Sequence, residues 1–305
     1  MTRTATTVWL DGKLLDDDQL RLHALTHALH YGSSVFEGIR VYATPQGPTI
    51  FRLREHVDRL IAGAATYGME LGRDADGLST AIVETVRASG RDAAYVRPLA
   101  YFGGDTVRLN PVTECPVHVM IAVLPFDGLV PGGSGVPLFR ATVSPFMKTP
   151  SRALPSTVKA GGHYTNSIRA LAEAQARGFD ETLLLNDRGD VAEGSGENIF
   201  VVRDGIVITN DADADILPGI TRASVLALAR EAGITTRVRP LTLEDLAACD
   251  EAFFTGTAAE VVPIVRIDDH EFGAEGPLTE RLRTTYTDVV RGRRPAPGPW
   301  LTQVS

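Results

Sequence analysis

Residues 151–170 read SRALPSTVKAGGHYTNSIRA, with Lys159 between small residues and a double glycine. Thirty residues are Lys or Arg, yet only Lys13, Lys148 and Lys159 are lysines. Positions that need only positive charge carry arginine, so Lys159 asks for a chemical reason. A lysine that links covalently to a carbonyl must first lose its charge, and desolvation lowers its pKa from about 10.4. Small neighbours let a flat cofactor lie close to the backbone, and KAGG supplies them. The plainer alternative is a surface-loop lysine, and on this stretch alone both stand.

Three stretches further on bear on the choice. VAEGSGENIFVV (191–202) sets Glu193 and Glu197 among small residues in an otherwise apolar pair of segments. A buried carboxylate needs a cation or hydrogen-bond donors. A protonated pyridine nitrogen would serve, and the carboxylate would keep that ring an electron sink; solvated turn glutamates are the alternative. ILPGITRASVLALAREAG (216–233) puts Pro218–Gly219 ahead of a helix. The amides of Ile220 and Thr221, with the Thr221 hydroxyl, could hold a phosphate there, or the segment is an ordinary helix start. FFTGTAAEVVPI (253–264) runs from a strand into a small polar loop, where Thr257 adds a further donor.

The 305 residues suit two domains or one large one, and 44% hydrophobic with 22% charged is ordinary for a globular chain. Net charge is -8, and the one basic knot, RGRRP at 291–295, reads as a solvated tail, so nucleic-acid binding is disfavoured. Cys115 and Cys249 fit neither a disulfide framework nor metal spacing and read as reduced buried thiols. No signal peptide or membrane-spanning run is read, which points to the cytoplasm. His23, His27 and His30 recur at i, i+4 and i+7, but no carboxylate or cysteine clusters with them. They are expected to be structural, and no metal site is assigned.

Periodicity places strands on either side of the Asp11–Gly12 turn, a strand over 34–42, helices over 54–69 and 75–89, and strands over 93–102 and 116–126. DGLVPGGSGVP (127–137) holds four glycines and two prolines and reads as a linker. The expected division is an N-terminal α/β domain over 1–126, the linker, and a C-terminal cofactor-binding domain over 138–305. In the second half the pattern predicts a strand over 138–143, an irregular loop over 144–160 and a helix closed by Gly178. It then predicts strands at 181–186, 190–193, 197–203 and 206–209 and a helix over 219–232.

KAGGHY, EGSGENIF, LPGITR and FFTGTAAEVVPI, in that order, resemble the class IV pyridoxal-phosphate aminotransferases, the fold type IV enzymes. HALHYGSSVFEGIRVY (27–42) and YVRP (95–98) resemble the branched-chain amino acid aminotransferases among them. The resemblance runs from residue 8 to 304. It implies an α/β (α+β) fold of two domains, a small N-terminal one and a larger C-terminal one, with pyridoxal 5'-phosphate as cofactor. By position, Lys159 would join the cofactor and act as the catalytic residue. Glu193 would pair with the ring nitrogen, and Tyr164 would hydrogen-bond the phenolic oxygen. Arg59, Ile220, Thr221 and Thr257 would bind phosphate, and Leu217 would pack on the ring. Tyr31, Phe36, Gly38, Arg40, Tyr95, Arg97, Leu129, Thr257 and Ala258 would shape the substrate pocket, with Tyr31 reaching in from a neighbouring subunit.

Implied substrates are branched-chain L-amino acids and 2-oxoglutarate, bound by a homodimer or hexamer with the active site at the subunit interface. No nucleic-acid or membrane partner is expected. Phe126 keeps an aromatic where the family's bacterial branch has one, whereas Leu129 stands where that branch has a tyrosine. AGGHYTNS departs from the commoner AGGNYLxS at His163 and Thr165. A D-amino acid or (R)-amine transaminase, or an aminodeoxychorismate lyase, would keep Lys159 and Glu193. A non-catalytic cofactor-binding protein is the alternative of another class.

Overall fold

The computed structural model describes residues 6–126, 128 and 135–304. The chain forms two compact units: Met1–Asp127 with Val158–Gly162 and Val290–Ser305, and Gly128–Thr157 with His163–Val289. The division read from sequence puts 158–162 and 290–305 in the second half; their packing joins them to the first. Leu129 and most of the expected linker lie outside the described residues.

The first unit contains β1 (Thr7–Leu10), β2 (Lys13–Asp16), α1 (His27–Tyr31), β3 (Ser34–Phe36), β4 (Ile39–Thr44) and β5 (Gly47–Phe51). It continues through α2 (Leu53–Thr66), α3 (Ala75–Ser89), β6 (Ala94–Phe102) and β7 (Val117–Pro125). A late strand, Leu301–Gln303, pairs with β5, and the sheet runs from it through β5, β4, β6, β7 and β1 to β2, with β3 also on β6. Asp11 and Gly12 have φ of 48° and 99°, the left-handed pair of a tight hairpin that matches strand twist. α2 and α3 lay Val57, Leu78, Ile82 and Val86 on a core that includes Ile39, Val96, Ile121 and Val123 from the sheet.

The strand expected over 34–42 is two strands. Both keep one register with β6, Phe36 opposite Leu99 and Ile39 opposite Val96. Pro98 faces the break; it accepts from Glu37 N–H at 2.9 Å but has no N–H to return.

The second unit contains β8 (Phe139–Met147), α4 (Tyr164–Ala176), β9 (Glu181–Leu185), β10 (Asn198–Arg203), β11 (Ile206–Thr209) and α5 (Ile220–Glu231). Then come β12 (Thr236–Val238), α6 (Leu243–Ala248), β13 (Glu251–Gly256), β14 (Glu260–Ile267), β15 (His270–Glu271) and α7 (Pro277–Val290). Its sheet runs β12, β11, β10, β13, β14, β8, β9, with β15 on β14. β11–β12, β14–β8 and β8–β9 are parallel. β8 runs to Met147, into the stretch expected to be loop. The strand expected at 190–193 is not one: Val191 makes only isolated bridges, to Leu185 and Leu241. Gly189, at φ 83°, turns the chain just before it.

Candidate active site

In the first unit, Lys159 is fixed by its backbone. Its carbonyl accepts from Phe36 N–H at 2.9 Å, Ala160 bridges Val35, and Gly162 N–H donates to Gly32 at 3.1 Å. A Cβ on Gly161 would overlap the Ser34 hydroxyl. The glycines after Lys159 therefore let this segment lie flat against residues 32–36, a different use of smallness from the one read in the sequence. The Lys159 amine sits 5.1 Å from the centre of the Phe36 ring, and the Arg97 guanidinium sits 4.5 Å from it.

Arg97 Nη2 donates to the Tyr95 hydroxyl at 3.1 Å, while its Nε is buried with no hydrogen-bond partner. Gly38 lies under Tyr95, where any Cβ would overlap the phenol oxygen. The Tyr95 and Phe126 rings are 5.7 Å apart, and Arg40 lies 4.5 Å from the Phe126 ring. Phe36, Gly38, Arg40, Tyr95 and Arg97 are thus brought together on β3, β4, β6 and the break between β3 and β4. Tyr31 stands apart from them, 44% exposed, with its hydroxyl donating to the Val107 carbonyl at 2.7 Å.

Arg59 is gripped by a residue absent from the sequence reading. Its Nε and Nη2 donate to Glu37 at 2.6 and 3.0 Å, and His56 Nδ1 lies 2.7 Å from the same carboxylate. Burial alone would raise the Glu37 pKa, but Arg59 and His56 hold it well below the usual carboxylate range. Burial also pushes His56 below its usual value, against the pull of Glu37. The legible signal is a glutamate inside the apolar run SVFEGIRVY.

In the second unit, the buried Glu193 carboxylate accepts from Lys148 Nζ at 2.6 Å, Asn198 Nδ2 at 3.2 Å and Leu217 N–H at 3.0 Å. Asn198 also donates to the Leu217 carbonyl at 2.9 Å, tying Glu193 to the segment entering α5. Gly219 caps α5 without a side-chain hydrogen bond, and a Cβ there would overlap Asn198 Oδ1. Ile220 and the buried Thr221 open the helix, where the first amides have no partner within it. Thr257 and Ala258 lie on the turn from β13 to β14. That turn packs on the 194–197 loop, since a Cβ on Gly256 would come within 3.2 Å of Glu197 Cγ. Tyr164 is the first residue of α4. The sequence reading leaves out Lys148 and Asn198, although Asn198 lies within EGSGENIF.

The amino-transferase class IV profile matches residues 34–267. The chain belongs to the class IV aminotransferase family. The branched-chain-amino-acid aminotransferase of Pseudomonas aeruginosa is 40% identical over 299 residues, covering 97% of each chain. The branched-chain aminotransferase of Thermoproteus uzoniensis, solved with norvaline, matches with a TM-score of 0.94 and 42% identity, over 99% of this chain and 100% of that one. The branched-chain amino acid aminotransferase of Thermobaculum terrenum, solved in its PLP-form, matches with a TM-score of 0.91, 34% identity and 98% coverage of both chains. The mixed α/β architecture with two sheets is that of the fold type IV enzymes.

The histidines of this class IV aminotransferase have separate partners. His27 contacts Ser33 Oγ at 2.7 Å and the Arg108 carbonyl at 3.0 Å, and His30 contacts the Ala24 carbonyl at 2.9 Å. His23 accepts from Leu25 N–H at 3.2 Å. Among the described residues no group of three or more His, Cys, Asp or Glu could hold a metal, and no helix is long and apolar enough to cross a membrane.

Proposed function

We infer that the protein transfers the amino group of branched-chain L-amino acids to 2-oxoglutarate, using pyridoxal 5'-phosphate. The observation that carries this reading is the Phe36 wall. The Phe36 ring has the Lys159 amine 5.1 Å from its centre and, 4.5 Å from that centre, an arginine whose buried Nε lacks a partner. That pairs an apolar surface for a branched side chain with a fork suited to a carboxylate.

The second unit's donor set fits a phosphorylated pyridine. A buried carboxylate ringed by donors suits a protonated ring nitrogen, and an α5 start capped only by glycine suits phosphate. Glu193 would hold the proton at that nitrogen. Ile220, Thr221, Thr257 and Arg59 would bind the phosphate, Tyr164 the phenolic oxygen, and Leu217 the ring face. When bound, the cofactor supplies a reactive aldehyde and an electron-withdrawing ring that makes the substrate Cα–H acidic. The Lys159 amine would take the proton from the substrate Cα as general base and deliver it, as general acid, to the carbon that supplied the aldehyde. Arg97 would grip the side-chain carboxylate of glutamate, and Tyr95 with the Thr257–Ala258 amides would take the α-carboxylate. Gly38 and Arg40 would support that wall. The exposed Tyr31 fits a role in the neighbouring subunit's pocket, in a homodimer or larger assembly. Reduced thiols and an acidic chain fit a cytoplasmic enzyme.

The test is a visible spectrum of the purified protein with L-leucine and then 2-oxoglutarate. The band of the lysine-bound cofactor should vanish with the first and return with the second, and Lys159→Ala should lack both band and turnover. A band unmoved by L-leucine but bleached by D-alanine or (R)-1-phenylethylamine would overturn the substrate assignment. A wild-type protein that takes up no pyridoxal phosphate would overturn the cofactor.

A further inference from the structure

Lys148 has no part in the roles above, yet its amine lies within the Glu193 clamp. It follows β8, after a shift of register against β9 between Val143 and Met147. There its N–H donates to the Leu185 carbonyl at 2.8 Å. Glu193 is held from the adjacent residue of β9, its carbonyl accepting from Leu184 N–H at 2.9 Å. β9 thus presents both backbones side by side, and the side chains meet with Lys148 Nζ 2.6 Å from Glu193 Oε1. Their side chains are only 15% and 10% exposed.

The Glu193 oxygens divide their donors. Oε1 takes Lys148, and Oε2 takes Asn198 Nδ2 and Leu217 N–H. Donors from three segments fix the plane of the carboxylate and leave acceptor capacity on Oε1. Burying a carboxylate is costly without a cation beside it, and Lys148 supplies that cation. A neutral carboxylic acid could not hold a protonated ring nitrogen as an ion pair. Lys148 keeps its own charge: burial works against it, but Glu193, with smaller contributions from Tyr164 and Asp215, raises its pKa.

We propose that Lys148 is a positioning residue that pairs with Glu193 and keeps its carboxylate aimed at the ring nitrogen of bound pyridoxal phosphate. This rests on the cofactor reading above. Lys148 touches neither the transferred proton nor the substrate; it acts through Glu193.

The test compares pyridoxal phosphate with its 1-deaza analogue, in which carbon replaces the ring nitrogen, by titrating each into cofactor-free protein and measuring its dissociation constant. Wild type should favour the natural cofactor by about tenfold to a hundredfold, the range of a charged hydrogen bond. Lys148→Met should lose most of that preference by binding the natural cofactor more weakly while binding the analogue nearly as before, and Lys148→Arg should restore it. A merely structural defect would weaken both ligands alike and leave the preference intact, which would overturn the proposal. Should Lys148→Met not fold, the comparison is made on Lys148→Gln, which keeps a donor without the charge. Wild type that binds neither ligand would instead overturn the cofactor reading.

Discussion

Arg97 joins two demands on one pocket. Its guanidinium lies over Phe36, so its flat face is already apolar in character, while its edge bonds the Tyr95 hydroxyl. Removing it should leave the leucine half-reaction nearly intact and damage the glutamate and 2-oxoglutarate half-reaction. The expected loss in kcat/KM for glutamate is on the order of a hundredfold, from a charge-assisted contact. Arg97→Ala assayed with each amino donor separately checks this; equal losses for both would remove the role. The residues legible in the sequence lie in short motifs where small, charged and apolar types meet, as at Lys159 and Glu193. Glu37 is legible only as a charge in an apolar run; that it meets His56 and Arg59, 19 and 22 positions on, is announced by no local pattern. The two carboxylates differ in partner: Glu37 faces a histidine and an arginine, Glu193 a lysine and an asparagine. Sequence alone shows two glutamates in apolar surroundings and not which cation each one finds.

Elements are most legible where one periodicity runs unbroken. α3 starts at Asp74, which accepts from Gly77 N–H, and ends at the left-handed Gly90, so its limits are written in its caps. The break within 34–42 escapes a sequence reading because its cause, Pro98, sits on another strand. α6 offers a test at this scale. Thr242 caps it, and Asp245 returns the bond in a capping box while accepting Arg239 at 2.7 Å. Hydrogen bonds from Arg239, against the effect of burial, hold the Asp245 carboxyl at about 2, below its usual 3.8. Its stabilisation is therefore complete above the unfolded value and is lost as pH falls through about 2. Asp245→Asn should cost about 1 kcal/mol at pH 7, the scale of a helix cap. Denaturant melts of the two proteins should converge as pH drops to about 2. A gap that persists there would show that shape rather than charge was responsible.

Across the whole molecule each unit carries one thiol, Cys115 in the first and Cys249 in the second. Burial raises the Cys115 pKa and pushes Cys249 up to about 12, so neither offers a thiolate at neutral pH. Alkylation followed by peptide mass mapping should find both unmodified in native buffer, with each becoming labelled as its own unit opens in denaturant. Rapid labelling of Cys249 in buffer would overturn this. The division between units is only partly legible in the sequence, because two short stretches pack against residues far from them along the chain.

The farthest of these returns is the strand Leu301–Gln303, which covers β5 with Thr302 opposite Ile50. Trp300 packs edge-on against Phe51 at 5.8 Å, and Val304 lies in the first unit's core. On the ribosome, β5 emerges some 250 residues before its partner. Through that interval the nascent sheet carries an open strand edge, the kind of surface on which chains pair wrongly with one another. That edge is covered only once Leu301–Gln303 has left the ribosome and reached β5.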